Sequence, residues 1–131
     1  MSLNEKGNPE QSGDGPGGEP DVRMAAPLVI MTTCPDAESA DRLSRGLVEG
    51  RLAGCVNLLP EVGSVYRWQG AIEHSRETLL FIKTTRGRYA AVEAFIRAGH
   101  PYELPEVIAV PIERGSAAYI AWLEHMVGDA Q

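Results

Sequence analysis

The fold turns on one stretch: Cys55-Val56-Asn57-Leu58-Leu59, then Ser64-Val65-Tyr66-Arg67-Trp68, then Gln69-Gly70-Ala71, then Ile72 through Thr78-Leu79-Leu80-Phe81-Ile82-Lys83-Thr84. Its apolar and β-branched runs read as two extended arms around a tight turn at Gln69-Gly70-Ala71. Pro60 to Gly63 interrupts the first arm and predicts a bulge or bend there. A hairpin with roughly fifteen residues per arm is longer than one small core needs, and it leaves edge strands that soluble proteins cover, charge or pair. Pairing between subunits is the expected cover.

Before the hairpin, Leu28-Val29-Ile30-Met31-Thr32-Thr33 reads as a first strand with both faces largely covered. Pro35-Asp36 then opens a helix to about Leu52, with Ala40, Leu43, Leu47 and Val48 at helical spacing. Gly46 and Gly50 weaken that helix by roughly 1 kcal/mol each, so its packed face must compensate. After the hairpin, Arg86 to Gly99 carries Tyr89, Val92, Phe95 and Ile96 on one face and predicts a second helix capped by its terminal glycine. Val107 to Ile112 is a fourth strand, and Ser116 caps a last helix that turns Tyr119, Trp122, Leu123 and Met126 inward. The order βαββαβ plus a terminal helix gives an α+β, ferredoxin-like sandwich with spatial strand order 4-1-3-2.

At 131 residues, 44% hydrophobic and 23% charged, the chain is sized for one domain. Residues 1–26 read as a disordered leader or vector-derived tail, with Met24 a candidate functional start; residues 27–131 form the domain. Positions 1–23 hold five glycines and three prolines against only Met1, Leu3 and Val22 as apolar residues. No secretory signal and no long apolar span is present, so a soluble, cytoplasmic protein without membrane contact is expected. The net charge of −6 and the lack of a basic patch argue against nucleic-acid binding. Cys34 and Cys55 have no zinc-finger spacing and are expected to be free thiols.

Chemistry concentrates in His100-Pro101-Tyr102-Glu103-Leu104-Pro105-Glu106-Val107, where one imidazole and three carboxylate or phenol groups sit on a backbone stiffened by two prolines. Each proline biases the residue before it, His100 or Leu104, toward extended conformation. If the first and third strands run parallel and the other two opposite, then Cys34, Cys55, Lys83, His100 and Glu103 share one end of the sheet. Imidazole, carboxylate and thiolate suit copper, zinc or nickel, which makes His100, Glu103, Cys55 and Cys34 candidate metal ligands. Bland readings stand beside these: Cys55 and Cys34 as small core residues, His100 as a helix-end group, Glu103 as a solvated or surface-paired acid. Tyr66, Arg67, Trp68, Tyr102 and Trp122 are interface candidates, because aromatic residues and arginine concentrate in interface cores. Lys83 and Arg86, near a helix start, are candidate anion binders. Neither a GxSxG nor an HExxH pattern occurs, so no enzymatic activity and no organic cofactor are expected.

The chain resembles the CutA divalent-cation tolerance family. The resemblance rests on Pro35-Asp36, Leu47-Val48-Glu49 with Leu52-Ala53, Cys55-Val56-Asn57, Tyr66-Arg67-Trp68-Gln69-Gly70, Lys83-Thr84, His100-Pro101-Tyr102-Glu103 with Pro105-Glu106, and Tyr119 to Leu123, all in family order. It implies a ferredoxin-like homotrimer related in architecture to PII-type signalling trimers, a link to tolerance of copper and other divalent metals, and copper binding. The alternative it leaves open is a PII-like signalling or scaffold trimer that takes a small anion or a protein partner in intersubunit clefts. Gly54 and Cys34 depart from the family's usual alanine and small residue at those places.

Overall fold

A computed structural model describes residues 26–128. The elements are β1 (Pro27–Cys34), α1 (Ala37–Glu49), β2 (Cys55–Trp68), β3 (Ala71–Thr85), a 3-10 turn (Arg86–Arg88), α2 (Tyr89–Gly99), β4 (Ile108–Pro111) and α3 (Ala117–Val127). The expectation of a disordered leader falls outside the described residues, apart from Ala26.

The four strands form one sheet in the order β2-β3-β1-β4, the expected ferredoxin-like arrangement. β1 runs antiparallel to both β3 and β4, and β2 antiparallel to β3. The expectation that β1 and β3 are parallel is therefore wrong. α1 carries the chain back along the sheet, so β2 starts at the end where β1 started, and the hairpin then reverses β3 against both. One end of the sheet, here the upper, gathers the end of β1, the start of β4 and the projecting hairpin. The lower end gathers the start of β2 and the end of β3.

The hairpin forms as its sequence dictates. Gln69 and Gly70 both have positive φ, 50° and 85°, as a two-residue type I′ loop requires. The ladder shifts register between Leu59 and Val62, at the expected interruption, with Glu61 at φ 62°. Below this bulge β3 lies against β1; above it the two arms run on beyond Cys34, whose partner is Thr78.

α1 and α2 cover one face of the sheet, burying Ile30, Leu43, Leu47, Leu80, Ile82, Val92 and Ile96. Asp36 caps α1 by accepting the Ser39 N–H at 2.8 Å, which holds its carboxyl below the usual range. Gly46 is where the two helices cross: a Cβ there would stand 2.5 Å from the Phe95 ring, so the glycine that weakens α1 also lets α2 approach. α1 ends at Glu49, three residues before the expected boundary, and Arg51 turns the chain at φ 59°. Gly99 has no positive φ; α2 stops because His100, held before Pro101, is extended at φ −84°, ψ 140°.

α3 lies on the other face. Lys83 alternates away from the core residue Ile82, and its Nζ sits 5.9 Å from the centroid of the Tyr119 ring. Ser116 caps α3 as expected, and Arg51 and Arg88 donate to carbonyls at its C-terminal end, His125 O at 3.2 Å and Val127 O at 2.7 Å. Leu123 and Val127 are its buried residues. Tyr119 and Trp122 are exposed rather than inward, because α3 presses only one narrow stripe onto the lower end of the sheet. No helix among the described residues is long and apolar enough to cross a membrane.

Candidate functional site

The strand directions split the expected constellation. Cys34 ends β1 opposite Thr78, while Cys55 pairs with Lys83. Five residues of β3 separate those levels, about 16 Å of strand. Cys34, His100 and Glu103 therefore belong to the upper end and Cys55, Lys83 and Arg86 to the lower. Among the described residues no group of three His, Cys, Asp or Glu side chains is placed to hold a metal ion.

At the upper end, His100 is buried and committed at both ring nitrogens. Nε2 lies 2.7 Å from Thr33 O, a carbonyl that can only accept, so the proton is on Nε2. Nδ1 then accepts the Tyr102 N–H at 3.0 Å. This neutral imidazole staples the loop after α2 to β1. It has no lone pair left for a metal and no proton free for acid/base work. His100 is also expected as a helix-end group, but the α2-end carbonyl Gly99 O receives Arg42 Nη1 at 3.0 Å.

Tyr102 continues the network. Its Oη donates to Glu77 Oε2 at 2.7 Å, and burial together with this bond to a carboxylate pushes the phenol above its ordinary range. Glu77, a glutamate near the end of the projecting arm, is 7% exposed. Sequence reading misses it, because its carboxylate acquires meaning only when the loop from 100 to 106 folds against β3. Cys34 is fully buried, and burial raises its thiol to about 11; it packs in the core as a small apolar residue. Glu103 is exposed and belongs to no ion pair among the described residues, Arg97 and Lys83 included.

Between the hairpin and the loop lies a cleft of about 790 Å³, bounded by Tyr66, Trp68, Glu77, Tyr102, Glu103 and Glu106, among others. Three of the five interface candidates thus line one concavity. Arg67 points into solvent between Tyr66 and Trp68, and Trp122 lies at the lower end, its ring 5.4 Å from that of Tyr119.

At the lower end, Cys55 is half-buried, and the Tyr119 hydroxyl, raised by burial, is also raised by the neighbouring Cys55 sulfur. The two anion-binding candidates do not converge on a free helix start. Lys83 leans on Tyr119, and the Arg86 N–H already donates to Ala26 O at 2.7 Å.

Comparison with known proteins gives a consistent picture. A profile of the family described as CutA1 divalent ion tolerance protein matches residues 28–126. The Thermus thermophilus divalent-cation tolerance protein CutA is 41% identical over 100 residues, which cover 76% of this chain and 97% of that protein. Mouse Protein CutA is 45% identical over 94 residues, 72% of this chain, but the match spans only 53% of the mouse protein's length. Of solved structures, CutA from Xylella fastidiosa superposes with a TM-score of 0.77 at 44% identity, covering 79% of this chain and 99% of that one. CutA1 from Oryza sativa gives 0.78 at 36% identity, covering 80% and 96%.

Proposed function

This chain belongs to the CutA1 divalent ion tolerance family, and from that premise we propose that it is a cytoplasmic homotrimer that acts in divalent-cation tolerance by binding a divalent metal, copper foremost, without catalysing a reaction. The observation that carries the assembly is the hairpin: Val65 and Ile72 stand 66% and 55% exposed on arms that run beyond their own sheet. Uncovered apolar arms with a free β2 edge are what a neighbouring copy would bury. The non-catalytic reading is supported by His100, whose two ring nitrogens are both engaged and so unavailable for proton transfer.

Within one subunit the four sequence-derived donors do not fit a metal. His100 is committed, Cys34 is enclosed in the core, and Cys55 and Glu103 sit at opposite ends of the sheet. Cys55 and Glu103 keep their donor atoms available, so copper binding would be completed by groups of a neighbouring subunit. Calorimetric titration with Cu(II), and with Cu(I) under reducing conditions, tests this. Saturable binding weakened about tenfold or more by Glu103→Ala or Cys55→Ser is expected. Wild-type protein that takes up no copper overturns the metal reading.

A second reading, a PII-like signalling or scaffold trimer that takes a small molecule in a cleft, is favoured by the 790 Å³ concavity beside the 100–106 loop. Thermal-shift screening in which small molecules raise the melting temperature and metals do not would select it.

A further inference from the structure

The cleft has a chemistry of its own. Glu77, Glu103 and Glu106 give it three carboxylates, and Tyr66, Trp68 and Tyr102 give it three aromatic rings; no lysine, arginine or histidine lines it. Glu77 is the informative member. It is more than nine-tenths buried and enters no ion pair among the described residues. Tyr102 donates to one of its oxygens, and the other, which no protein donor reaches among the described residues, is not sealed from water. A carboxylate set into a cleft wall with no cationic partner attracts a cation arriving there, and the low-dielectric surroundings strengthen that attraction.

The rings decide what kind of cation. Aromatic faces attract cations through their quadrupole, most strongly where water is excluded. The volume suits a small organic molecule and far exceeds a bare metal ion, whose oxygen ligands must close to about 2.0–2.6 Å. An anion would meet three carboxylates and no positive side chain. We propose that this cleft binds a small organic ammonium ion, with the ammonium group between Glu77 and the Tyr66 and Trp68 rings. The inference gives the second reading its ligand class, and it requires that the cleft remain open in the assembled protein.

The test uses the full chain in phosphate buffer, free of amine buffers, titrated with choline, putrescine, citrate, and the uncharged analogue of choline in which carbon replaces nitrogen. Saturable binding of choline or putrescine is expected, with the uncharged analogue about tenfold or more weaker and citrate not bound. Glu77→Gln keeps an oxygen for Tyr102 and removes the charge, and should weaken ammonium binding about tenfold. Trp68→Leu, on the exposed arm, should weaken it several-fold and serves if Glu77→Gln fails to fold. Wild type that binds neither ammonium probe, or that binds the uncharged analogue equally well, overturns the proposal, as do folded variants with unchanged affinity. Sedimentation and copper titration on the same samples report assembly and metal binding separately, so failure of this inference is distinguishable from failure of the trimer.

Discussion

His100 shows how residue type and residue role diverge. Its imidazole is a metal-capable group by type, but Thr33, which fixes its tautomer, lies 67 residues away in the chain, and no local pattern announces that bond. Removing the ring strands a carbonyl and an amide, both in a buried place, so His100→Ala should cost about 2–3 kcal/mol in urea unfolding. Copper affinity of the folded protein should not change; a large loss would restore the imidazole as a ligand. Cys34 and Cys55 separate in the same way. With its thiol raised to about 11, Cys34 holds its proton in the folded state where the unfolded chain releases it near the ordinary value of 9.0. The native state then binds more protons than the unfolded state across that window, so Cys34 makes stability fall as pH rises from about 9 toward 11. At pH 8 a thiol reagent should modify Cys55 in the native protein and Cys34 only on unfolding. Equal modification rates would show that Cys34 is not enclosed. The fate of Glu77 could not be read from sequence for the same reason as that of His100: its partner Tyr102 is 25 residues on and meets it only through the fold.

At the scale of elements much more was legible, because periodicity and turn chemistry are local. The hairpin, its bulge, both capped helices and the strand order follow from the alternation of Cys55–Trp68, the Gln69-Gly70 loop, and Asp36 and Ser116 as caps. Strand direction is a different kind of property, set by what each connection does in space. Misreading it moved Cys55 and Lys83 to the wrong end of the sheet, and the expected metal constellation depended on that step. The docking of α3 also depends on a residue whose importance is spatial. A Cβ on Gly54 would stand 2.7 Å from Leu123 Cδ1 and 3.3 Å from Met126 Cβ, while the Gly54 N–H is held by Lys83 O at 3.0 Å. Backbone pinned on one side and a fully buried leucine on the other leave no room, so Gly54→Ala should force α3 outward. A loss of about 1–3 kcal/mol is expected, with faster amide exchange concentrated in α3. Unchanged exchange there would mean that Leu123 repacks without moving the helix.

For the whole molecule, the decisive fact is that this chain carries more sheet than its own helices cover. The core is complete below the bulge, where α1 and α2 close over β1, β3 and the start of β2. Above it the arms are supported by each other and, through Glu77 and Tyr102, by the 100–106 loop. A two-stranded ribbon is marginal in water, so its length has a physical reason only if another surface meets it. Ile72 offers a selective test because it pairs across the ladder with Arg67. A glutamate at position 72 would sit beside that guanidinium, and both positions are solvent-exposed in the free subunit, so the monomer should fold with little penalty. In an assembly that buries position 72 the same charge would be stripped of water. Ile72→Glu should therefore shift the protein from trimer to monomer in sedimentation equilibrium. Its melting temperature should also lose the concentration dependence that linkage to association gives the wild type. Wild-type protein that sediments as one subunit at micromolar concentration would sink the assembly, and a trimeric Ile72→Glu variant would place the contact elsewhere, on the β4 edge or the exposed Tyr119–Trp122 face of α3.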